Sequence, residues 1–292
     1  MTGGRNKYLV VSLVLTVAAI WGSAFVVMKD TLHRINVSSF LGWRFLIATC
    51  VMAAIRPQAL KHIRGKFLVK GVVVGSLLGG GYLFQTFGLT QTTVAKTGFI
   101  TGLYAIFTPL FAAGLFKKHV SKIQWAATAL AFAGLAMLSF KGLSIGVGES
   151  LVLVSAILFA GHIIALSEWS NGMDTYALTL IQMAMVSAIS FLGGIKQGIE
   201  VPHDSGVWQA IVYTAVLASA FAFLVQTWTQ SFMAATSIGI LLTMEYIFAA
   251  VFGVILGHET LALRTLLGGS LVIIAMVVII KSEESKEVAT SD

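Results

Sequence analysis

The chain has 292 residues, 57% of them hydrophobic and 11% charged, with a mean hydropathy of +0.91 and a formal charge of +7. A soluble domain carries about 25% charged residues, so a soluble core is excluded and lipid is the solvent that the composition fits. A single cysteine, Cys50, excludes an intramolecular disulfide and a thiolate metal site, and basic residues gathered in short segments between apolar runs speak for membrane topology rather than a nucleic-acid surface.

The first apolar run, 9–28, follows Arg5 and Lys7. It is long for a signal-peptide core and more spans follow at once, so it reads as a retained transmembrane helix. Further runs near the length of a bilayer crossing cover 38–55, 71–88, 97–116 and 123–140, then 149–166, 176–195, 207–228, 235–256 and 263–280. Period-two alternation is absent from them, which disfavours a barrel. The expected fold is therefore an all-α membrane protein of ten transmembrane helices. Residues 282–292, charged and without apolar periodicity, read as a disordered cytoplasmic tail.

With a cytoplasmic amino terminus, twelve basic residues fall in inside segments and six in outside segments, Arg44 lying within a span. That excess places both termini inside.

The two halves of the chain align in patches. Trp21-Gly22 lies over Phe159-Ala160 and Arg44-Phe45 over Gln182-Met183 at an offset of 138, Gln85-Thr86 over Gln226-Thr227 at 141, and Phe111-Ala112-Ala113 over Phe248-Ala249-Ala250 at 137. Residues 1–140 and 149–281 thus read as two repeats of five helices. Five is odd, so the second repeat enters the membrane from the opposite side. Such inverted repeats give many secondary transporters two states of similar energy.

Ile20-Trp21-Gly22-Ser23, Arg44-Phe45, and Phe99-Ile100-Thr101-Gly102-Leu103-Tyr104 running to Thr108-Pro109-Leu110 resemble the EamA-type branch of the drug/metabolite transporter superfamily. In the second half, Glu245 ahead of Phe248-Ala249-Ala250 and then Leu256-Gly257-His258-Glu259 is similar to the family's Glu-Pro and later Leu-Gly-Glu pattern, with Tyr246 where proline is usual. The resemblance covers about residues 8–281. It implies an ATP-independent carrier of small organic solutes in the inner membrane, often an exporter of amino acids or related metabolites, with a central cavity between the halves and no cofactor.

Glu245 stands about 15 Å into the ninth span, near the midplane. Inserting an acidic side chain there costs roughly 2.5–3.5 kcal/mol, so it should face protein or water, either binding a substrate amino group, coupling a proton, or hydrogen-bonding a neighbouring helix. Arg44 lies about 9 Å from the outer end of its span, where it can snorkel to the headgroups or turn inward to a substrate carboxylate. His162 is a proton-relay candidate or a cross-helix hydrogen-bond partner. Gln85 and Gln226 can read polar groups at the two ends of a cavity or bridge helices. Trp21, Phe25, Tyr104, Phe159 and Tyr246 are candidate aromatic walls or ordinary core.

Glycines at 71, 75 and 79, at 98 and 102, and at 253 and 257 have close-packing spacing. They serve the bundle first and a homodimer second, so monomer and homodimer both stay open. An intramembrane transferase or protease wants clustered polar catalysts. No paired-aspartate, HExxH, GxSxG or P-loop pattern is present. A channel or sensory receptor remains the alternative, without a recognisable filter or output domain.

Overall fold

The computed structural model describes residues 7–92, 94–139, 146–257 and 263–289, and every regular element among them is helical. The first part of the chain forms α1 (Lys7–Thr31), α2 (Val37–Ile55), a 3-10 helix (Pro57–His62), α3 (Gly65–Leu89), α4 (Val94–Gly102), α5 (Tyr104–Gly114) and α6 (Lys122–Ser139). The second forms α7 (Val147–Trp169), α8 (Thr175–Gly194), α9 (Ser205–Ala215), a π turn (Val216–Phe221), α10 (Ala222–Gln230), α11 (Ala235–Leu242), α12 (Met244–Gly257) and α13 (Leu263–Ala289). Among the described residues, eight helical stretches are long and apolar enough to cross a bilayer, and Leu266–Ser282 is apolar but shorter.

Local chemistry sets the helix starts. Asn36 accepts the Ser39 amide at 2.7 Å to cap α2, Asp174 accepts the Ala177 amide at 2.9 Å to cap α8, and Asp204 accepts the Gly206 amide at 2.8 Å ahead of α9. Each removes an orphan N–H at a helix end.

Three of the expected continuous spans are interrupted. The fourth breaks at Leu103 and the ninth at Thr243, both with φ −61° and ψ −15°, where hydrogen bonds shorten to Leu103 N→Ile100 O and Thr243 N→Ile240 O. At the second break the Thr243 hydroxyl also donates to the Ile240 carbonyl at 2.6 Å, competing with the helical ladder. Tyr246, in the family's proline position, leaves the ninth span interrupted all the same. The eighth span widens into the π turn, a feature that recurs at functional sites. The final helix continues to Ala289, taking helical backbone through most of the segment whose composition predicts a disordered tail.

Polarity runs opposite to that of a soluble protein. Val69, Leu153, Ile157, Leu192, Ile255 and Ile273 are exposed, whereas Arg44, Gln182, His162, Thr227 and Ser219 are buried. With lipid outside, apolar side chains face outward and polar ones find partners within the bundle. The tightest neighbours come from opposite halves of the chain: α1 packs on α12, α2 on α8, α3 on α7 and α8, and α6 on α13. A core of Phe40, Leu41, Phe45, Met183, Ile211 and Phe223 joins them.

Close helix approach depends on glycine at defined places. A Cβ on Gly22 would stand 2.7 Å from the Ala249 nitrogen and the Glu245 carbonyl of α12, so α1 and α12 meet backbone to backbone. Gly71, Gly75 and Gly79 of α3 receive Ile181, Met185 and Ile189 of α8, which makes that row an intramolecular seam. His258 and Glu259, part of the sequence pattern around the ninth span, lie outside the described residues, as does the side chain of Lys96.

Candidate functional site

Where the interrupted helices meet the rest of the bundle, a cavity encloses about 630 Å³ outside protein atoms, part of it at an open mouth. Its walls come from α1, α2, α3, α4, α5, α7, α10, α11 and α12. Nine of the ten residues singled out in the sequence line it together: Trp21, Phe25, Arg44, Gln85, Tyr104, Phe159, His162, Gln226 and Glu245. Tyr246 does not. One helical step from Glu245 turns its ring onto Gly98 and Gly102 of α4, so these two glycines serve as the seat of an aromatic ring.

Arg44 turns inward and is 1% exposed, so it does not snorkel. Its Nε donates to Ser219 Oγ at 2.8 Å and Nη2 to the Ala218 carbonyl at 3.2 Å, while Nη1 meets the Met28 sulfur at 3.5 Å. The guanidinium also lies 4.9 Å from the Phe45 ring centre and 5.1 Å from that of Tyr82, within cation–π range. Among the described residues no carboxylate pairs with it. Because a guanidinium stays charged, the cavity carries a fixed positive charge whose neighbours are neutral.

Glu245 is buried at the head of α12, one residue past the Met244 that follows the break. No hydrogen bond or ion pair among the described residues engages its carboxyl. Two other polar atoms in the wall, Tyr104 Oη and Gln226 Oε1, are buried without a partner. Buried polar groups are nearly always satisfied, so unpaired polar atoms on residues that line one space suit a binding site for a polar solute.

The remaining polar side chains are fastened. His162 Nε2 shares a 2.8 Å hydrogen bond with Gln182 Oε1, and Gln182 Nε2 donates to Thr227 Oγ1 at 3.2 Å, tying α7, α8 and α10 together. Gln85 donates to Thr101 Oγ1 at 3.1 Å, bridging α3 and α4. Gln226 donates to Gln230 at 2.9 Å, and Gln230 in turn reaches the Ile163 carbonyl at 2.8 Å. Gln85 and Gln226 therefore border a single chamber, one as a bridge between helices and one as a link within its own helix.

Aromatic rings form the apolar walls. Trp21 packs on Phe223 at 5.2 Å, Tyr82 stands edge-on to Phe159 at 5.5 Å, and the Trp21 indole donates to the Ala218 carbonyl at 2.8 Å. Tyr82, Phe223 and Ser219 were not singled out from the sequence. A signal existed for the first two: they stand 141 residues apart, the offset that relates Gln85 to Gln226.

A multi-pass helical bundle that is apolar outside and encloses a chamber with a cation, a carboxyl and unpaired polar atoms has the architecture that membrane transporters use. The chain belongs to the EamA-like transporter family, whose model matches residues 9–140 and 146–281. Its partners are accordingly a small solute and the lipid bilayer. An uncharacterized transporter of Archaeoglobus fulgidus is 29% identical over 278 residues, covering 95% of this chain and 87% of that protein. The uncharacterized transporter YcxC of Bacillus subtilis is 26% identical over 275 residues, covering 88% of each. These are transporters, not enzymes. A solved crystal structure superposes with a TM-score of 0.80 at 16% identity, covering 94% of this chain and 96% of the other, and shares its fold.

Proposed function

We propose that the protein is a secondary transporter that moves small organic solutes, amino acids or related metabolites, out across the inner membrane by alternating access, without ATP. In this reading ten helices form two inverted repeats, residues 1–140 and 149–281, with both termini cytoplasmic.

The cavity wall is the observation that carries it. Trp21 and Phe159, Ala24 and His162, and Phe25 and Ile163 are pairs 138 residues apart; Tyr82 and Phe223, and Gln85 and Gln226, are pairs 141 apart. Both members of every pair line the same chamber. An axis in the membrane plane passing through the chamber accounts for that, and equivalent halves around a central site are what alternating access needs. The interruptions at Leu103 and Thr243 fall on the matching pair of spans, in keeping with the discontinuous helices of such carriers.

Helix connections give further support. At one end of α2, Arg34 pairs with Asp204 and the Asn36 amide donates to Glu200 at 2.9 Å; at the other end, Arg56 pairs with Asp174 at 2.8 Å. Asn36 and Asp174, the caps of α2 and α8, are again 138 residues apart. One clasp at each membrane face suits a carrier that opens to one side at a time.

Inside the chamber, Arg44 serves a solute carboxylate and Glu245 an amino group or a coupled proton, between aromatic walls that accept an apolar side chain. Counterflow in proteoliposomes with labelled amino acids and small metabolites, comparing the intact protein with Glu245→Gln at two pH values, tests this. Saturable exchange that is lost or made pH-insensitive in the variant supports a carrier with Glu245 in its site. Flux without counterflow would make it a channel.

A further inference from the structure

The two matched half-sites of the chamber differ chemically in one respect that the aromatic walls do not share. Arg44 corresponds to Gln182 at the 138-residue offset, and Ser219 corresponds to Leu78 at the 141-residue offset of the surrounding α3 and α10 positions. Cation and hydroxyl therefore occur together at one half-site, 2.8 Å apart, while the twin combines an amide with a leucine and directs that amide to His162 and Thr227. Among the described wall residues, Arg44 therefore marks one half-site as the place for an anionic group.

The Arg44 guanidinium does not hold that place by itself. Arginine has a long, rotatable stem, and a bound geometry must be imposed on it by its surroundings. Ser219 Oγ accepts a hydrogen bond from Nε, and the Ala218 carbonyl, which also accepts from the Trp21 indole, accepts one from Nη2. Both acceptors belong to the π turn. The remaining edge of the fork, Nη1, faces the thioether of Met28, another wall residue and a weak acceptor that a carboxylate oxygen readily displaces.

We infer that Ser219 is a positioning residue which, with the Ala218 carbonyl of the π turn, aims the Arg44 guanidinium into the chamber and so sets a preference for carboxylate-bearing solutes over their decarboxylated amines. This rests on the amino-acid reading of the site given above.

The test uses the purified full chain and two probes chosen for the aromatic walls: L-phenylalanine and phenethylamine, the same molecule without its carboxylate. Wild type is expected to bind phenylalanine more tightly than phenethylamine. Ser219→Ala, losing one hydrogen bond to a charged group, should raise the Kd for phenylalanine roughly tenfold with phenethylamine nearly unmoved. In counterflow the same variant should raise KM and leave the maximal rate. Ser219→Thr should restore wild-type discrimination, and Ser219→Cys, with its weaker acceptor, should fall between and serves where the alanine variant does not fold. Equal weakening of both probes, or no change in either, overturns the positioning role while leaving the amino-acid reading intact. A wild type that binds the two probes alike removes the carboxylate role of Arg44, and the positioning role with it; one that binds neither defeats the amino-acid reading itself.

Discussion

Arg44 and Glu245 line one chamber from opposite halves of the chain without forming an ion pair. Had they paired, each would neutralise the other and the site would offer little charge to a solute. Kept apart, the guanidinium leans on neutral acceptors and the carboxyl has no partner among the described residues.

Reversing both charges together, Arg44→Glu with Glu245→Arg, should therefore not restore what either reversal removes. Arg44→Ala strips the donors from Ser219 and from one side of the Ala218 carbonyl in a dry interior, and should destabilise the protein by about 1–3 kcal/mol as well as abolish counterflow. Glu245→Gln keeps the shape and should stay within about 1 kcal/mol of wild type in thermal unfolding while changing transport. Rescue by the double reversal would show a hidden pair.

Gly22 carries the contact between α1 and the helix that bears Glu245. An added methyl group meets backbone atoms at 2.7 Å and the Phe248 Cβ at 2.8 Å, none of which can swing aside. Gly22→Ala should cost about 1–3 kcal/mol and lower the yield of folded protein. Gly114→Ala, where nothing lies within 4 Å of the new carbon, should be near neutral. Comparing the two by size-exclusion profile and melting temperature checks the helix approach directly.

The clasps at the two ends of α2 should bias access in opposite directions. Both are partly solvated, with Arg34 and Arg56 side chains 41% and 44% exposed, so each is worth at most about 1 kcal/mol, or roughly a fivefold shift in population. Arg56→Ala is a cleaner probe than Asp174→Ala, because Asp174 also caps α8. In a Cys50→Ser background, Ala24→Cys places a thiol in the chamber wall. Arg34→Ala should raise its labelling from the Arg34 face and Arg56→Ala from the other. Labelling that rises on the same face in both would break the twin-clasp assignment.

Asp204 gives the first clasp an acid limit. The Gly206 amide, and after it the Arg34 guanidinium, hold its carboxyl below the ordinary 3.8 against a cost of desolvation. A carboxylate with a depressed folded-state pKa stabilises fully above its unfolded value and loses that contribution as pH falls through the folded one. The melting-temperature gap between wild type and Asp204→Asn should therefore be constant above about pH 5 and close at acid pH below the ordinary carboxylate range. A gap that widens on acidification would contradict the pairing.

The membrane class, the helical fold and the family were all legible in the chain, because hydropathy, charge placement and short motifs are local quantities that lipid reads span by span. So were most of the wall residues, since a buried carboxyl, guanidinium or imidazole at membrane depth has few affordable places to point. What hydropathy does not carry is azimuth. Tyr246 follows Glu245 by one residue, about 100° around the helix, and that rotation sends the ring to the glycine seat of α4 and the carboxyl to the chamber. The breaks at Leu103 and Thr243 and the π turn change the hydrogen-bond register inside apolar runs without changing their hydropathy. Ser219 was invisible for the same reason: a serine in an apolar run is ordinary, and only the packing of α2 against the π turn, 175 residues away, brings Arg44 to it.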